Sequence, residues 1–195
     1  MAIITISRQL GSLGSKIAKN LQEELGYNYL DKESLEQELV NKYGLPEEKV
    51  KRYDEKKPAF WEMFSSDKDR YLYFLKTTMY KFARKGHCVI MGRGGQVLFQ
   101  DIPGTFHIRI IAPLKLRLDR IKERYNCKDQ LAEQIVRQSD QDRAGFHKFF
   151  FHINMDDAQL YDLTINTQNL TVESAVKVIK NAVNSTEIME QNPDK

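Results

Sequence analysis

Residues 2–16, AIITISRQLGSLGSK, decide the fold. Ala2–Ile6 is a continuous apolar run, which is typical of a strand buried on both faces of a parallel sheet. Gly11 and Gly14 follow it, and apolar residues then recur at helical spacing until Gly26 supplies a stop. The stretch therefore predicts a strand, a glycine loop and a helix in succession.

Four more apolar runs predict strands that alternate with helices along the chain. Parallel neighbours need helical crossovers, so five buried strands in this alternation predict a three-layer α/β fold with a doubly wound parallel sheet. Ligands bind such sheets beyond the carboxyl ends of the strands, where the informative residues should lie. The later strands are predicted at residues 27–30, 87–91, 106–111 and 160–165, and further helices begin near residues 31, 69, 113, 128 and 171.

The composition is that of one ordinary globular domain. The chain has 195 residues, of which 41% are hydrophobic and 29% charged. A net charge of +3 suits anionic ligands but is too small and too interspersed to indicate nucleic acid. No apolar run approaches the roughly 20 residues of a membrane span, and Met1–Ser7 lacks a signal-peptide pattern, so we expect a cytoplasmic protein without a membrane partner.

The cysteine and aromatic residues are interpreted as residues that pack against other side chains, and not as ligands or redox groups. Cys88 and Cys127 lack the spacing of a metal or redox site, and Cys88 is expected to be a small buried hydrophobe. An aromatic run near residue 150 is either core, which we favour, or a subunit contact, and the choice between monomer and homodimer stays open. The aromatic residues concerned are Phe146, Phe149, Phe150 and Phe151, while Phe60, Trp61 and Phe64 suggest a further turn of helix.

The glycine loop is a candidate anion site. It lies between a strand and a helix, where backbone amides and the helix dipole favour a phosphate. The loop falls short of the G-x-x-x-x-G-K-[ST] pattern, because Ser15 follows Gly14 and Lys16 comes one residue late. Either Lys16 reaches the phosphates from a shifted position, or it points to solvent and Arg8 or a more distant arginine supplies the charge. A plain glycine turn is the simpler alternative.

Two further candidates follow other predicted strands. Arg93 stands among glycines in Gly92-Arg93-Gly94-Gly95, where a guanidinium can make bidentate bonds to a phosphate; the alternative is a structural ion pair. Asp31 follows the second strand and either accepts a hydrogen bond from a sugar or base, or caps a helix.

Arginines recur at helical spacing between the fourth and fifth strands. Arg137 and Arg143 flank Asp140, which could hold both guanidiniums over one anion. Basic helical faces are usually only solvated, but this excursion is the natural position for a mobile lid over phosphates. The preceding helix carries a similar set, Arg117, Arg120 and Arg124.

These stretches, in this order and spacing, resemble the cytidylate kinase-like proteins over about residues 2–184. The stretches that carry the resemblance are Ile6-Ser7-Arg8 with Gly11-Ser12-Leu13-Gly14, Tyr29-Leu30-Asp31-Lys32, Val89-Ile90-Met91-Gly92-Arg93-Gly94-Gly95, Asp140-Gln141-Asp142-Arg143, and Tyr161-Asp162-Leu163 with Asn166-Thr167.

The resemblance implies a P-loop NTPase-like nucleoside monophosphate kinase that moves the γ-phosphoryl group of ATP, with Mg²⁺, onto CMP or dCMP. It implies one domain at residues 1–184, with a monophosphate-binding insert at about 31–85, a helical lid at about 117–155 and a polar tail at 185–195. Nucleotides would be its partners, and base selectivity stays open among CMP, dCMP, UMP and others.

The resemblance also implies roles for single residues. ATP would be held by Gly11, Ser12, Leu13, Gly14, Ser15 and Lys16, with Arg120, Arg124 and Thr167 nearby. The acceptor would be held by Asp31, Arg93, Gly94 and Asp140, and catalytic charge would come from Lys16, Arg93, Arg137 and Arg143.

Two departures from the family pattern bear on activity. The loop has the altered Ser15-Lys16 order, and Met91 precedes Gly92 where true cytidylate kinases carry an aspartate that helps to position Mg²⁺. Metal binding would then rest on Ser15 and substrate oxygens. These departures leave two alternatives, a non-catalytic nucleotide-binding protein of the same fold and a kinase for another small phosphoacceptor.

Overall fold

A computed structural model describes residues 2–53 and 66–190. Five parallel strands form one sheet in the order β2-β3-β1-β4-β5, which confirms the predicted α/β fold with a parallel sheet. The strands are β1 (Ile3–Arg8), β2 (Asn28–Leu30), β3 (Cys88–Met91), β4 (Thr105–Ile111) and β5 (Leu163–Asn166).

Eight α-helices connect and cover the strands within the described residues. They are α1 (Gly14–Leu25), α2 (Lys32–Tyr43), α3 (Glu47–Arg52), α4 (Ser66–Ala83), α5 (Gly95–Leu98), α6 (Leu114–Tyr125), α7 (Asp129–Phe151) and α8 (Val172–Glu190), with a 3-10 turn at Ala158–Leu160.

The helices differ from expectation in length and number. Helix α7 continues beyond residue 144, where its charge-rich sequence gives way to aromatic residues, because its apolar second half packs in the core. Helix α8 continues to Glu190, past the expected start of the tail. The short helices α3 and α5 are too brief to show a periodic pattern. The suggested turn at Phe60, Trp61 and Phe64 lies outside the described residues.

The sheet separates two apolar layers because successive side chains of a strand point to opposite faces. Ile4 and Ile6 of β1 pack with α1 and α8, whereas Ile3 packs with α2 and α4. Cys88 belongs to the second layer, where burial raises the pKa of its thiol to about 11 and leaves it inert, as expected of a small hydrophobe. Phe146 and Phe150 lie in the same layer, which confirms their assignment to the core.

The carboxyl ends of four strands meet at one edge of the sheet. The residues that follow these ends are tied to their neighbours by backbone hydrogen bonds, from Gly92 N to Ile6 O (2.9 Å), Gln9 N to Ile110 O (3.0 Å) and Thr167 N to Ile111 O (2.9 Å). The segments that follow β1, β3, β4 and β5 are therefore neighbours. Within residues 2–53 and 66–190, no helix is both long and apolar enough to cross a membrane.

A buried histidine lies between β1 and β4. His107 is 7% exposed, and its Nδ1 lies 2.7 Å from Thr5 Oγ1. Burial lowers the pKa of the ring from its ordinary value of 6.5, and the charge of Asp162 opposes this only in part. The unfolded chain therefore binds a proton more tightly at this position than the folded protein does.

We predict that this histidine makes the fold less stable in acid. Because the folded pKa is lowered, its contribution is present above about pH 6.5 and is lost as the pH falls towards the folded value. His107→Asn keeps a polar atom near Thr5 but cannot titrate. Thermal unfolding at about pH 7.5 and about pH 5.5 should show a smaller acid-induced fall in Tm for the variant. Equal falls would contradict the prediction.

Candidate active site

The glycine loop between β1 and α1 has a backbone that only particular residues tolerate. Gly11 has a φ of +80°, and a Cβ there would lie 2.9 Å from the carbonyl oxygen of Arg117. Leu13 has a φ of +65°, a left-handed conformation that costs a non-glycine residue of order 1–3 kcal/mol. Its side chain packs against the layer of α1 and α8, and this packing offsets the strain.

Three successive carbonyl groups of the loop are held from behind by side chains. Arg117 Nε donates to Leu10 O at 2.7 Å, Arg120 Nη1 donates to Gly11 O at 3.0 Å, and Thr167 Oγ1 donates to Ser12 O at 3.0 Å. Arg120 also donates to Thr167 Oγ1 and O, each at 3.1 Å, so the arginine and the threonine support each other.

The start of α1 has the geometry of an anion-binding helix end. The first amides of a helix have no partner within the helix, and the N-cap residue is Leu13, whose side chain cannot accept a hydrogen bond. The amides of Gly14, Ser15 and Lys16 therefore carry the positive end of the helix dipole into the loop.

A cavity of about 710 Å³, here called the loop cavity, opens over this loop. This volume is in the range of a small-molecule site. Positive side chains dominate its lining, which favours a polyanion. The lining cations are Arg8, Lys16, Lys19, Arg120, Arg124 and Arg143, beside one carboxylate, Glu123, and the loop residues Gly11, Leu13, Gly14 and Ser15.

A second cavity of about 450 Å³, here called the α7 cavity, lies beside the first. Three of its residues, Arg8, Leu10 and Arg143, also line the loop cavity, so the two spaces adjoin at these side chains. Its lining mixes cations, amides, one carboxylate and apolar groups, which suits a small polar ligand that carries a phosphate. The other lining residues are Lys32, Leu131, Gln134, Ile135, Gln138, Ser139 and Asp142.

Most of the predicted ATP-binding residues line the loop cavity, and two of them lie behind the loop. Ser12 and Thr167 are each fully buried and bind loop carbonyls, Ser12 Oγ donating to Gln9 O at 2.8 Å. The structure thus places Thr167 as a support of the loop, apart from the cavity lining. The predicted residues in the lining are Gly11, Leu13, Gly14, Ser15, Lys16, Arg120, Arg124 and Arg143.

Arg93 and Gly94 lie at the same sheet edge but in neither cavity lining. Arg93 is 3% exposed, and its Nη2 lies 3.7 Å from Glu36 Oε1, which is the ion-pair alternative. Lys32 Nζ lies 3.8 Å from the same oxygen, and Lys32 lines the α7 cavity. Glu36 therefore links Arg93 to a lysine of that cavity. Gly94 faces the ring of Phe151, which fills the space of a side chain.

Asp31 is a helix cap. Its Oδ1 accepts hydrogen bonds from Ser34 N at 3.0 Å and from Ser34 Oγ. Partial burial raises the pKa of the carboxyl, but the bonds from Ser34 outweigh burial and hold it below its ordinary value. Asp31 is therefore a charged cap, and its role as a ligand remains a prediction.

The arginine cluster on α7 pairs differently from expectation. Asp140 accepts two bonds from Arg117 Nη2, at 2.7 and 2.9 Å, and does not bridge Arg137 and Arg143. Arg137 lies on the exposed face of α7 and pairs with Glu133 at 2.7 Å. Arg143 donates to Ser139 and lines both cavities. The predicted pairing failed because α6 lies against α7, and this contact is not visible in the spacing of one helix.

The described residues offer little to a metal ion. Among them, no cluster of three His, Cys, Asp or Glu side chains could hold one. Met91 is 5% exposed and packs in the core, while Ser15 is exposed in the loop cavity. Mg²⁺ in such sites usually takes one or two protein ligands and the oxygens of a phosphate chain. These residues fit a metal ion that is held mainly by the oxygens of a phosphate chain, with Ser15 as a protein ligand.

Several cavity residues were absent from the sequence-based site. Lys19 follows Lys16 on α1, Lys32 follows the capping Asp31, and Asp142 precedes Arg143. Each of them lies close in sequence to a recognised motif, and this was the signal that could have identified them as cavity residues. Arg8 was considered only as an alternative source of charge.

The sequence pattern of the cytidylate kinase-like family matches residues 3–169. The chain belongs to this family. The cytidylate kinase of Natronomonas pharaonis is 28% identical, over 94% of this chain and 90% of the relative. That of Methanocaldococcus jannaschii is 24% identical, over 94% and 98%. Membership of a kinase family implies a phosphotransferase that binds nucleotide substrates and uses ATP, typically with Mg²⁺.

Solved structures share the fold. An uncharacterized protein from Eubacterium ventriosum has a TM-score of 0.74 at 22% identity, over 95% of this chain and 99% of that one. The shikimate kinase from Acinetobacter baumannii has a TM-score of 0.54 at 15% identity, over 95% and 94%. These matches show that the chain shares the α/β fold of these two proteins.

We predict that Thr167→Val destabilises the protein by roughly 1–3 kcal/mol, because the hydroxyl lost from a buried position leaves Ser12 O and Arg120 short of a partner. Valine keeps the shape of threonine, so packing is preserved. Urea unfolding measures the change, with Thr164→Val, on an exposed position of β5, as the matched control. Equal stability of the two variants would contradict the role given to Thr167.

Proposed function

We propose that this protein transfers the γ-phosphoryl group of ATP to a nucleoside monophosphate, with CMP or dCMP as the expected acceptor. The observation that carries the proposal is the adjoining pair of cavities. Both contain cations, they share Arg8 and Arg143, and one of them opens over a phosphate-binding loop. Two phosphate-bearing ligands in these cavities would meet at the shared arginines.

The loop cavity is the proposed donor site. The amides of Gly14, Ser15 and Lys16 are free to bind an anion at the helix start, and the held carbonyls fix the loop in its orientation. Lys16 and Lys19, together with Arg120 and Arg124, surround the same space with positive charge. A triphosphate carries enough negative charge to balance such a lining.

The α7 cavity is the proposed acceptor site. Lys32, Arg8 and Arg143 can bind the monophosphate, and Gln134 and Gln138 offer amide donors and acceptors to a base or sugar. Lys32 is the second residue of the segment 31–85 that the family resemblance assigns to the monophosphate. The predicted acceptor residues still include Asp31, Arg93, Gly94 and Asp140. Of these, Arg93 would act through Glu36, which it shares with Lys32.

The first half of α7 is the proposed lid. It is joined to α6 and to Leu10 of the glycine loop by a small apolar cluster that includes Ile121, Ala132 and Val136, separate from the two main layers. The second half is anchored in the core by Phe146 and Phe150. Movement of the first half would close the two cavities, exclude water and bring Arg137 towards the phosphates.

Phosphoryl transfer needs alignment and positive charge more than it needs a reactive side chain. The two cavities provide alignment, and the arginines at their junction provide charge. When bound with ATP, Mg²⁺ would neutralise part of the charge of the phosphate chain, and Ser15 is the residue that would hold it.

The names of the relatives favour CMP and dCMP as acceptors, because both cytidylate kinases match nearly the full chain. The identity to these relatives is only 28% and 24%, so the base of the acceptor nucleotide stays open. Selectivity for the base depends on the shape and polar groups of the acceptor cavity. UMP and small phosphoacceptors outside the nucleotides are therefore included in the test below.

We predict acceptor-dependent formation of ADP. ATP and Mg²⁺ are supplied in a coupled assay with each of CMP, dCMP, UMP, AMP and GMP and with a panel of small non-nucleotide phosphoacceptors, and CMP or dCMP should give the highest kcat/KM. Stabilisation by ATP without turnover for any acceptor would instead support a nucleotide-binding protein. Turnover with a small non-nucleotide phosphoacceptor alone would identify a different kinase.

A pair of lysines tests which cavity binds which substrate. Lys19 lines only the loop cavity and Lys32 only the α7 cavity. We expect Lys19→Ala to raise the KM for ATP, and Lys32→Ala the KM for the acceptor, each by roughly threefold to tenfold, as for a partly exposed charged hydrogen bond. Steady-state kinetics measures both constants in both variants. An exchange of the two effects would reverse the assignment of the cavities.

A further inference from the structure

We propose that Arg8, the last residue of β1, is a catalytic residue that supplies the charge expected of the lysine in an orthodox phosphate-binding loop. Its guanidinium would bind the phosphoryl group while that group passes from donor to acceptor. This inference rests on the proposed phosphoryl transfer and adds to it the identity of the transferring cation.

Arg8 lies where the transfer must occur. Of the described residues that line the loop cavity and the α7 cavity, Arg8, Leu10 and Arg143 are common to both. Leu10 is apolar, so the charge at the junction comes from the two arginines. Lys16 lines the loop cavity and not the α7 cavity, and its side chain is exposed on the first turn of α1.

Arg8 also lies directly against the phosphate-binding loop. A Cβ on Gly14 would lie 2.5 Å from Arg8 Cβ and 3.0 Å from Arg8 Cγ. The aliphatic stem of Arg8 therefore occupies the space that the glycine leaves open. Gly14 is also the first residue of α1, so the stem passes beside the amides that would hold the donor phosphates.

The backbone of Arg8 is rigidly placed. Arg8 pairs with Ile110 of β4 at the centre of the sheet, and Gln9 N donates to Ile110 O at 3.0 Å. The strand end fixes the backbone, and the contact with Gly14 fixes the start of the side chain, which limits the reorganisation that electrostatic stabilisation of a transition state would require. Arg8 is also half-buried, which strengthens its field compared with that of an exposed lysine.

The field of Arg8 reaches the acceptor side. Burial and the charge of Asp31 raise the pKa of the Tyr29 hydroxyl, and the charge of Arg8 opposes them. Tyr29 and Asp31 stand at the end of β2, next to Lys32 of the α7 cavity. The guanidinium is therefore close enough to influence groups on that side as well as on the side of the loop.

The step itself requires no proton from Arg8. The bond between the γ-phosphorus of ATP and its bridging oxygen breaks, and its electron pair stays on the β-phosphate of ADP. A phosphate oxygen of the acceptor forms the new bond to the same phosphorus. The guanidinium donates N–H bonds to the non-bridging oxygens, on which charge is distributed in the transition state.

The test compares Arg8→Ala, Arg8→Lys and Lys16→Ala in the acceptor-dependent assay. We expect Arg8→Ala to lower kcat by roughly 100-fold to 1000-fold, as for the loss of one preorganised donor, and to raise the KM for ATP and for the acceptor by only about tenfold, because the guanidinium binds the phosphates more strongly in the transition state than in the ground state. Arg8→Lys should recover part of this loss. Lys16→Ala should lower kcat by less than about tenfold.

Arg84→Ala is the matched control, because it removes one exposed positive charge that lies in neither cavity lining. Thermal unfolding of each variant separates a chemical effect from a folding defect. If Arg8→Ala destabilises the fold, the comparison uses Arg8→Lys, which keeps the stem and the charge. A kcat of Arg8→Lys below that of wild type would then support the assignment, and a kcat equal to that of wild type would overturn it. A kcat for Arg8→Ala within about threefold of Arg84→Ala would overturn the assignment, as would a larger loss in Lys16→Ala than in Arg8→Ala.

Binding of inorganic tripolyphosphate, measured by calorimetry, provides a readout that does not depend on turnover. Arg8→Ala should bind it at least about tenfold more weakly than Arg84→Ala does. Wild-type protein that forms no ADP with any acceptor would overturn the proposed function and, with it, the catalytic role of Arg8. Active wild-type protein with an unimpaired Arg8→Ala variant would overturn the role of Arg8 alone.

Discussion

Three hydrogen bonds to the carbonyls of Leu10, Gly11 and Ser12 are the constraint on which the site depends. An isolated loop could turn its carbonyls or its amides towards the cavity, and only the amides bind phosphate. Arg117, Arg120 and Thr167 hold the carbonyls from behind and so determine the choice. The strained φ of Leu13 persists because this frame and its core packing over-determine the loop.

The same frame links the loop to α7. Arg117 donates through Nε to the loop and through Nη2 to Asp140 of α7, so one guanidinium touches both walls of the site. Arg117 is 3% exposed, whereas the Asp140 side chain that it meets is 40% exposed. The loop and the base of the proposed lid are therefore coupled mechanically, although they stand far apart in the sequence.

The sequence predicted what depends on local pattern. The five strands, the glycine loop, the helix stop at Gly26 and the cap at Asp31 follow from periodicity and backbone preference, and the structure contains all of them. The partners of Asp140, Arg93 and Thr167 were not predicted, because each is fixed by a neighbour that is distant in sequence. A motif shows where a charged side chain begins, and packing decides which group it meets.

The most direct test of the account is a crystal structure with a non-hydrolysable ATP analogue, Mg²⁺ and CMP. The account predicts donor phosphates on the amides of residues 11–16, and the CMP phosphate in the α7 cavity within hydrogen-bond distance of Arg8 or Arg143. Donor phosphates outside the glycine loop, or CMP bound away from both arginines, would contradict it.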